Sequence, residues 1–146
     1  MCSFASMIEF IYSTAFVLDN EDSIKDWLHS LAKGEGFTVK NVHYNFVSAE
    51  KIHFINNQFL NHDYPTDVIA FDYSEDKELS GEVFVCQKIV EQNAVYYSQT
   101  IENEILRVLC HALLHLCGYK DKNSKDLVVM RSAEDKAIAA FHSTYK

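Results

Sequence analysis

The chain has 146 residues, a length that suits one domain able to bury a substantial core without staples. Aliphatic and aromatic residues make up 48% of it, with one Pro and four Gly, which argues against flexible linkers and low-complexity sequence. A net charge of −8 with histidines neutral excludes nucleic-acid binding through a broadly basic surface, though not through a local patch.

In chain order, the opening MCSFASMIEFIYSTAF has no basic start, and Glu9 interrupts its apolar run. Nothing approaches the ~18 apolar residues of a membrane span, so neither a signal peptide nor a membrane partner is expected, and the compartment reads as cytoplasmic. Cys2, Cys86, Cys110 and Cys117 form no CxxC pair and read as reduced, mostly buried thiols. Ile8 to Phe16 is rich in β-branched and aromatic residues and predicts a strand. Asn20 to Asp22 supply helix-start chemistry, and Ile24, Trp27, Leu28 and Leu31 follow the spacing of an amphipathic helix that Gly34 can end. Val39 to Val47 alternate as a second strand. Ser48 can cap a helix to about Leu60, with Ile52, Ile55 and Phe59 on one face. Asp67 to Tyr73 and Gly81 to Cys86 read as two short strands able to pair, and Gln87 to Val95 as a short helix.

A further helix starts at Ser98 or Thr100 and stops at Gly118. Ile101, Ile105, Val108, Leu109, Ala112, Leu113 and Leu116 cover more than one stripe, so this helix should be central and buried on most sides. The last helix runs from about Ser124 to Phe141, with Met130, Ala133, Ala137 and Phe141 inward. The whole reads as an α+β single domain: a mixed, roughly four-stranded sheet with about five helices.

His111 and His115 lie four apart on the central helix, so both imidazoles share one face, where they can hold one divalent ion, most simply zinc. The alternative is a pair of core histidines satisfied by hydrogen bonds. Gly118 lets the chain turn back over that face, and Asp121, six residues past His115, can add an oxygen ligand. Three protein ligands and an open position are the pattern of a catalytic rather than a structural zinc, and such an ion assists hydrolysis. Metalloproteases of the HExxH type place a glutamate base after the first histidine; Ala112 stands there, which disfavours peptide hydrolysis. Thr66 and Asp67 open a strand and read either as turn chemistry or as a polar wall beside the metal. Glu104, two turns before His111, reads as a solvated carboxylate near the helix start, or else as a group that orients a ligand or acts as a base. His29, His43, His53, His62 and His142 read as surface or locally bonded residues.

At these residues the chain resembles the YbeY family of bacterial rRNA maturation factors, single-domain metal-dependent endoribonucleases. The family block HGxLHLxGYDH, whose three histidines bind zinc, stands here as His111-Ala-Leu-Leu-His115-Leu-Cys-Gly118-Tyr119-Lys120-Asp121. PTDVLSF stands as Pro65-Thr66-Asp67-Val68-Ile69-Ala70-Phe71, the Gly-Asp-Ile block as Gly81-Glu82-Val83, and M-R-x-x-E as Met130-Arg131-Ser132-Ala133-Glu134. The resemblance implies a zinc-dependent endoribonuclease acting on single-strand-type sites in late 3′-end maturation of small-subunit rRNA and in ribosome quality control. Its partners would be ribosomal RNA, the small ribosomal subunit and its proteins, with no DNA expected. His111, His115 and Asp121 would be the metal-binding and catalytic set. Lys120, Lys122, Lys125 and Arg131, with Arg107 nearby, read by themselves as an ordinary solvated loop, but the resemblance implies that they would face RNA. Two positions depart from the family. Its third histidine falls on Asp121, a harder, anionic donor that can shift metal preference and weaken the ion as a Lewis acid. An arginine thought to contact the RNA phosphate falls on Leu60, so His62 or a more distant cation would have to replace it. Two alternatives remain: a non-catalytic metal-bearing ribosome assembly factor, and a metal-dependent hydrolase of another substrate.

Overall fold

Local chemistry sets the element limits in the computed structural model, which describes residues 7–145. The strands are β1 (Met7–Tyr12), β2 (Thr38–Phe46), β3 (Val68–Asp72) and β4 (Glu78–Val85). The helices are α1 (Glu21–Gly34), α2 (Ala49–Leu60), α3 (Gln87–Tyr96), α4 (Ile101–Leu116) and α5 (Ser124–Tyr145). Ser48 Oγ accepts from the Lys51 amide at 3.1 Å and Thr100 Oγ1 from the Asn103 amide at 3.0 Å, each satisfying an otherwise orphaned donor at the start of α2 or α4.

The sheet order is β1-β2-β4-β3. β1, β2 and β4 are parallel, and β3 runs antiparallel to β4. The fold is therefore α+β with a mixed four-stranded sheet. On one face, Val42, Tyr44 and Phe46 of β2 and Leu79, Val83 and Val85 of β4 pack with α1, α4 and α5 into the main core. On the other, Ile69 of β3 meets Ile52 and Ile55 of α2 in a smaller cluster.

α4 lies at the centre, touching β3, β4, α1, α3 and α5. Its side chains Leu106, Leu109, Leu113 and Leu114 are fully buried, each contributing roughly 1.5–3 kcal/mol by area removed from water. Two bonds fix the surroundings: Tyr44 donates to the Leu109 carbonyl at 2.9 Å, and Trp27 Nε1 to the Ala137 carbonyl of α5 at 2.8 Å. Gly81 permits the close seat of α4 on the sheet. A Cβ there would lie 2.7 Å from the Phe71 carbonyl oxygen and 3.2 Å from Leu116 Cδ2.

Several expectations need correction. β1 ends at Tyr12 and does not reach Phe16, because the Ser13 amide and hydroxyl both bond to the Phe46 carbonyl and turn the chain; Phe16 packs on the core from a loop. Phe59 is 66% exposed, with its ring near-perpendicular to that of Phe71 at 5.8 Å. α5 buries Met130, Glu134, Ala137, Ile138 and Phe141, with Ala133 only half-buried. Cys86 and Cys110 are buried and Cys117 partly so, all three as free thiols; Cys2 lies outside the described residues. Among the described residues no helix is long and apolar enough to cross a membrane.

Candidate metal centre

The helical repeat sets His111 and His115 of α4 one turn apart, with ring centroids 5.0 Å apart at 81°. Gly118, at φ +102°, adopts the left-handed conformation that ends the helix, and the Gly118 and Tyr119 amides return to the His115 and Leu114 carbonyls at 3.0 Å each. Tyr119 then donates to Glu35, just past the end of α1, at 3.0 Å, pinning the turn. The redirected chain brings Asp121 back over the histidines. Its Oδ2 lies 3.0 Å from His115 Nε2 and 3.6 Å from His111 Nε2. One donor atom from each of the three residues falls within a 4.8 Å circle.

The donor set fits a divalent ion. Tetrahedral bonds of 2.0–2.2 Å place donors roughly 3.4 Å apart, the spacing range seen around Asp121 Oδ2. The side chains are 24%, 33% and 39% exposed for His111, His115 and Asp121, so an ion held there would stay open to a ligand from solvent.

Sequence reasoning missed the group behind His111. Glu134 Oε2 of α5 accepts from His111 Nδ1 at 2.5 Å, which leaves Nε2 with its lone pair toward Asp121. Glu134 Oε1 accepts from Arg107 Nη1 at 2.9 Å, and Arg107 Nη2 donates to Asp135 at 2.8 Å. Burial pulls the His111 pKa down, but the hydrogen bond and charge of Glu134 outweigh it, so the net shift is upward. Burial likewise pushes Glu134 up, and its bonds to His111 and Arg107 bring it below the usual carboxylate range. The signal was present: Glu134 ends the M-R-x-x-E block and lies one turn after the inward Met130.

Two clefts meet at His111. One, of about 570 Å³, is bordered by Asp67, Asn93, Tyr97, Glu104 and Arg131. The other, of about 500 Å³, is bordered by Leu60, His62, Tyr64, Thr66, His115 and Asp121. Thr66 Oγ1 donates to Asp67 Oδ1 at 3.3 Å, and Asn93 to Asp67 Oδ2 at 3.4 Å; among the described residues neither Thr66 nor Asp67 bonds a ligand histidine. Glu104 is not the solvated carboxylate expected: it is 7% exposed, and burial raises its pKa, because α3 packs over the start of α4. Lys120, Lys122 and Lys125 are exposed around Asp121 in sequence and line neither cleft, whereas exposed Arg131 lines the first. Arg107 is held by Glu134 and Asp135 rather than presented outward. Leu60 borders the second cleft, with His62 stacked on Tyr64 at 5.3 Å and 10°.

Two imidazoles and a carboxylate converging at the junction of two open polar clefts are the arrangement of a metal-assisted hydrolase. The family described as Endoribonuclease YbeY matches residues 13–142. A curated relative from Flavobacterium johnsoniae, named Endoribonuclease YbeY, is 46% identical over 93% of this chain and 98% of its own length. A second of that name, from Cytophaga hutchinsonii, is 40% identical over 86% of this chain and 89% of its own length. A Thermotoga maritima protein solved in solution shares 33% identity with a TM-score of 0.66, covering 95% of this chain and 91% of that one. The chain belongs to the YbeY family, and with it to the nucleases among the hydrolases.

Proposed function

We propose that this chain is a zinc-dependent endoribonuclease cutting single-stranded regions of ribosomal RNA, in late 3′-end maturation of the small subunit and in ribosome quality control. The observation that carries the reading is the convergence of His111, His115 and Asp121 within 4.8 Å, in a chain of a family named for endoribonuclease activity. The whole chain, 1–146, acts as one such domain in the cytoplasm, with the small subunit and its proteins as partners.

His111, His115 and Asp121 would hold the ion, which when bound supplies Lewis acidity toward a phosphoryl oxygen or a water near neutral pH. The chain's own residues do the rest. Glu134 keeps the His111 proton on Nδ1, and Arg107 keeps Glu134 from turning away. Thr66 and Asp67 form a polar wall on either side of the junction. Arg131 and the Lys120, Lys122, Lys125 group meet the phosphate backbone. One observation favours the second reading, a non-catalytic metal-bearing assembly factor: Leu60, which cannot hold a phosphate, borders the ligand cleft.

The test is metal content together with cleavage of structured ribosomal RNA by the parent and by His115→Ala. The parent should carry about one ion per chain and cleave, and the variant should lose both. A folded, metal-loaded parent that leaves the RNA intact would favour the assembly-factor reading. Cleavage that survives His115→Ala would end the metal mechanism.

A further inference from the structure

The cleft on the α3 side of His111 has a composition that phosphate binding does not explain. Glu104 lines it at 7% exposure, and among the described residues its carboxylate makes no hydrogen bond or ion pair, its oxygens reaching solvent. A carboxylate that opens into the cleft is free to accept from a ligand that enters it. Asp67 and Glu134 line the same cleft, and Arg107 is already committed to Glu134 and Asp135, so the interior is acidic and would repel a phosphate. Tyr97 stands at the edge, 60% exposed, braced edge-on by Tyr96 at 4.9 Å and 87°, which leaves a ring face to offer. Arg131 is the exposed cation on the rim.

Glu104 lies seven residues before His111, about 10 Å along the helix at 1.5 Å per residue. That is too far for its carboxylate to serve the ligand set, and it leaves room for part of a nucleotide between them. An aromatic face, a buried carboxylate and a rim cation together match an unstacked base, its N–H donors and its phosphate. Guanine is the base that presents two adjacent N–H donors, N1–H and N2–H, to a single carboxylate.

We infer that this cleft is a base pocket: Tyr97 stacks an unpaired guanine of the RNA, Glu104 accepts from its N1–H and N2–H, and Arg131 meets the attached phosphate. The inference rests on the proposed action on RNA and adds which nucleotide lies beside the cleaved linkage.

The test is calorimetric binding of guanosine and uridine 5′-monophosphates to the chelator-treated full chain, the parent beside Glu104→Gln and Tyr97→Ala. The parent should prefer the guanine nucleotide by about tenfold or more, the discrimination a good bidentate contact gives. Glu104→Gln should erase that preference and leave uridine nucleotide affinity unchanged. Tyr97→Ala should weaken both nucleotides by about tenfold, as loss of stacking does. Circular dichroism confirms that each variant is folded; Tyr97→Ala, at an exposed position, supplies the test if Glu104→Gln is not. Equal affinities in the parent, a preference that survives Glu104→Gln, or affinities indifferent to Tyr97→Ala would overturn the inference. Cleavage is not read here, so an inactive parent that still discriminates strikes the nuclease reading alone, and an active parent without preference strikes this one alone.

Discussion

Glu134 would act on an ion at His111 through an atom that never meets it. By accepting the Nδ1 proton of His111 it fixes both tautomer and ring orientation, and Arg107 fixes Glu134 in turn. Glu134→Gln should therefore lower metal affinity by about 10–100-fold, measured by competition with a chromophoric chelator, while the circular dichroism spectrum stays that of the parent. His111→Ala should lose binding altogether by the same measurement. The histidine pair and Asp121 were legible because helix spacing and one turn residue place them, all within eleven consecutive positions. Glu134 and Glu104 were not, because whether a carboxylate is buried depends on which helix crosses it. A sequence window around Glu104 contains the start of a helix, where acidic side chains normally stay solvated; it is tertiary packing that leaves it 7% exposed.

At the scale of elements, the position of α4 decides how His111 meets Glu134 of α5 and the two clefts. Gly81 lets α4 sit close against β4, where a methyl group would strike the Phe71 carbonyl of β3 and the side chain of Leu116 at once. Gly81→Ala should destabilise the protein by about 1–3 kcal/mol, an overpacking penalty, read as a lowered denaturant midpoint with unchanged slope. An unchanged midpoint would mean that β3 and α4 yield without loss. Helix limits followed local rules: Ser48, Thr100 and Gly118 act through bonds or backbone angles of their immediate neighbours. Strand order did not. Nothing local to Met7–Tyr12 or Glu78–Val85 specifies that both flank β2 in parallel, since such pairing is settled by the crossover helices and shared core. The early end of β1 has the same origin, because the Phe46 carbonyl that captures Ser13 lies 33 residues away.

For the whole molecule, the −8 charge limits how RNA can be held. Few cations are available near the clefts, and long-range attraction is absent or reversed, so affinity must come from a small number of close contacts. If Lys120, Lys122 and Lys125 each meet a phosphate, replacing all three by alanine should reduce the slope of log affinity against log salt by about 2, from about 0.7 per single-strand contact. Titrations at several ionic strengths check this; an unchanged slope would remove the three lysines from the interface.

The Glu134–His111 bond also joins two separate elements, across 23 residues of sequence. The three ligands reside in one helix and the turn after it, whereas Glu134 arrives on the C-terminal helix. Occupancy of the site and docking of α5 would then be linked equilibria: an ion that bound only the docked form would stabilise it by mass action, about 2.7 kcal/mol at a hundredfold excess over its dissociation constant. Stripping the metal should accelerate amide hydrogen exchange along α5 far more than in β1 or β2. The C-terminal helix α5 would then double as a latch, drawn shut by the ion it helps to hold.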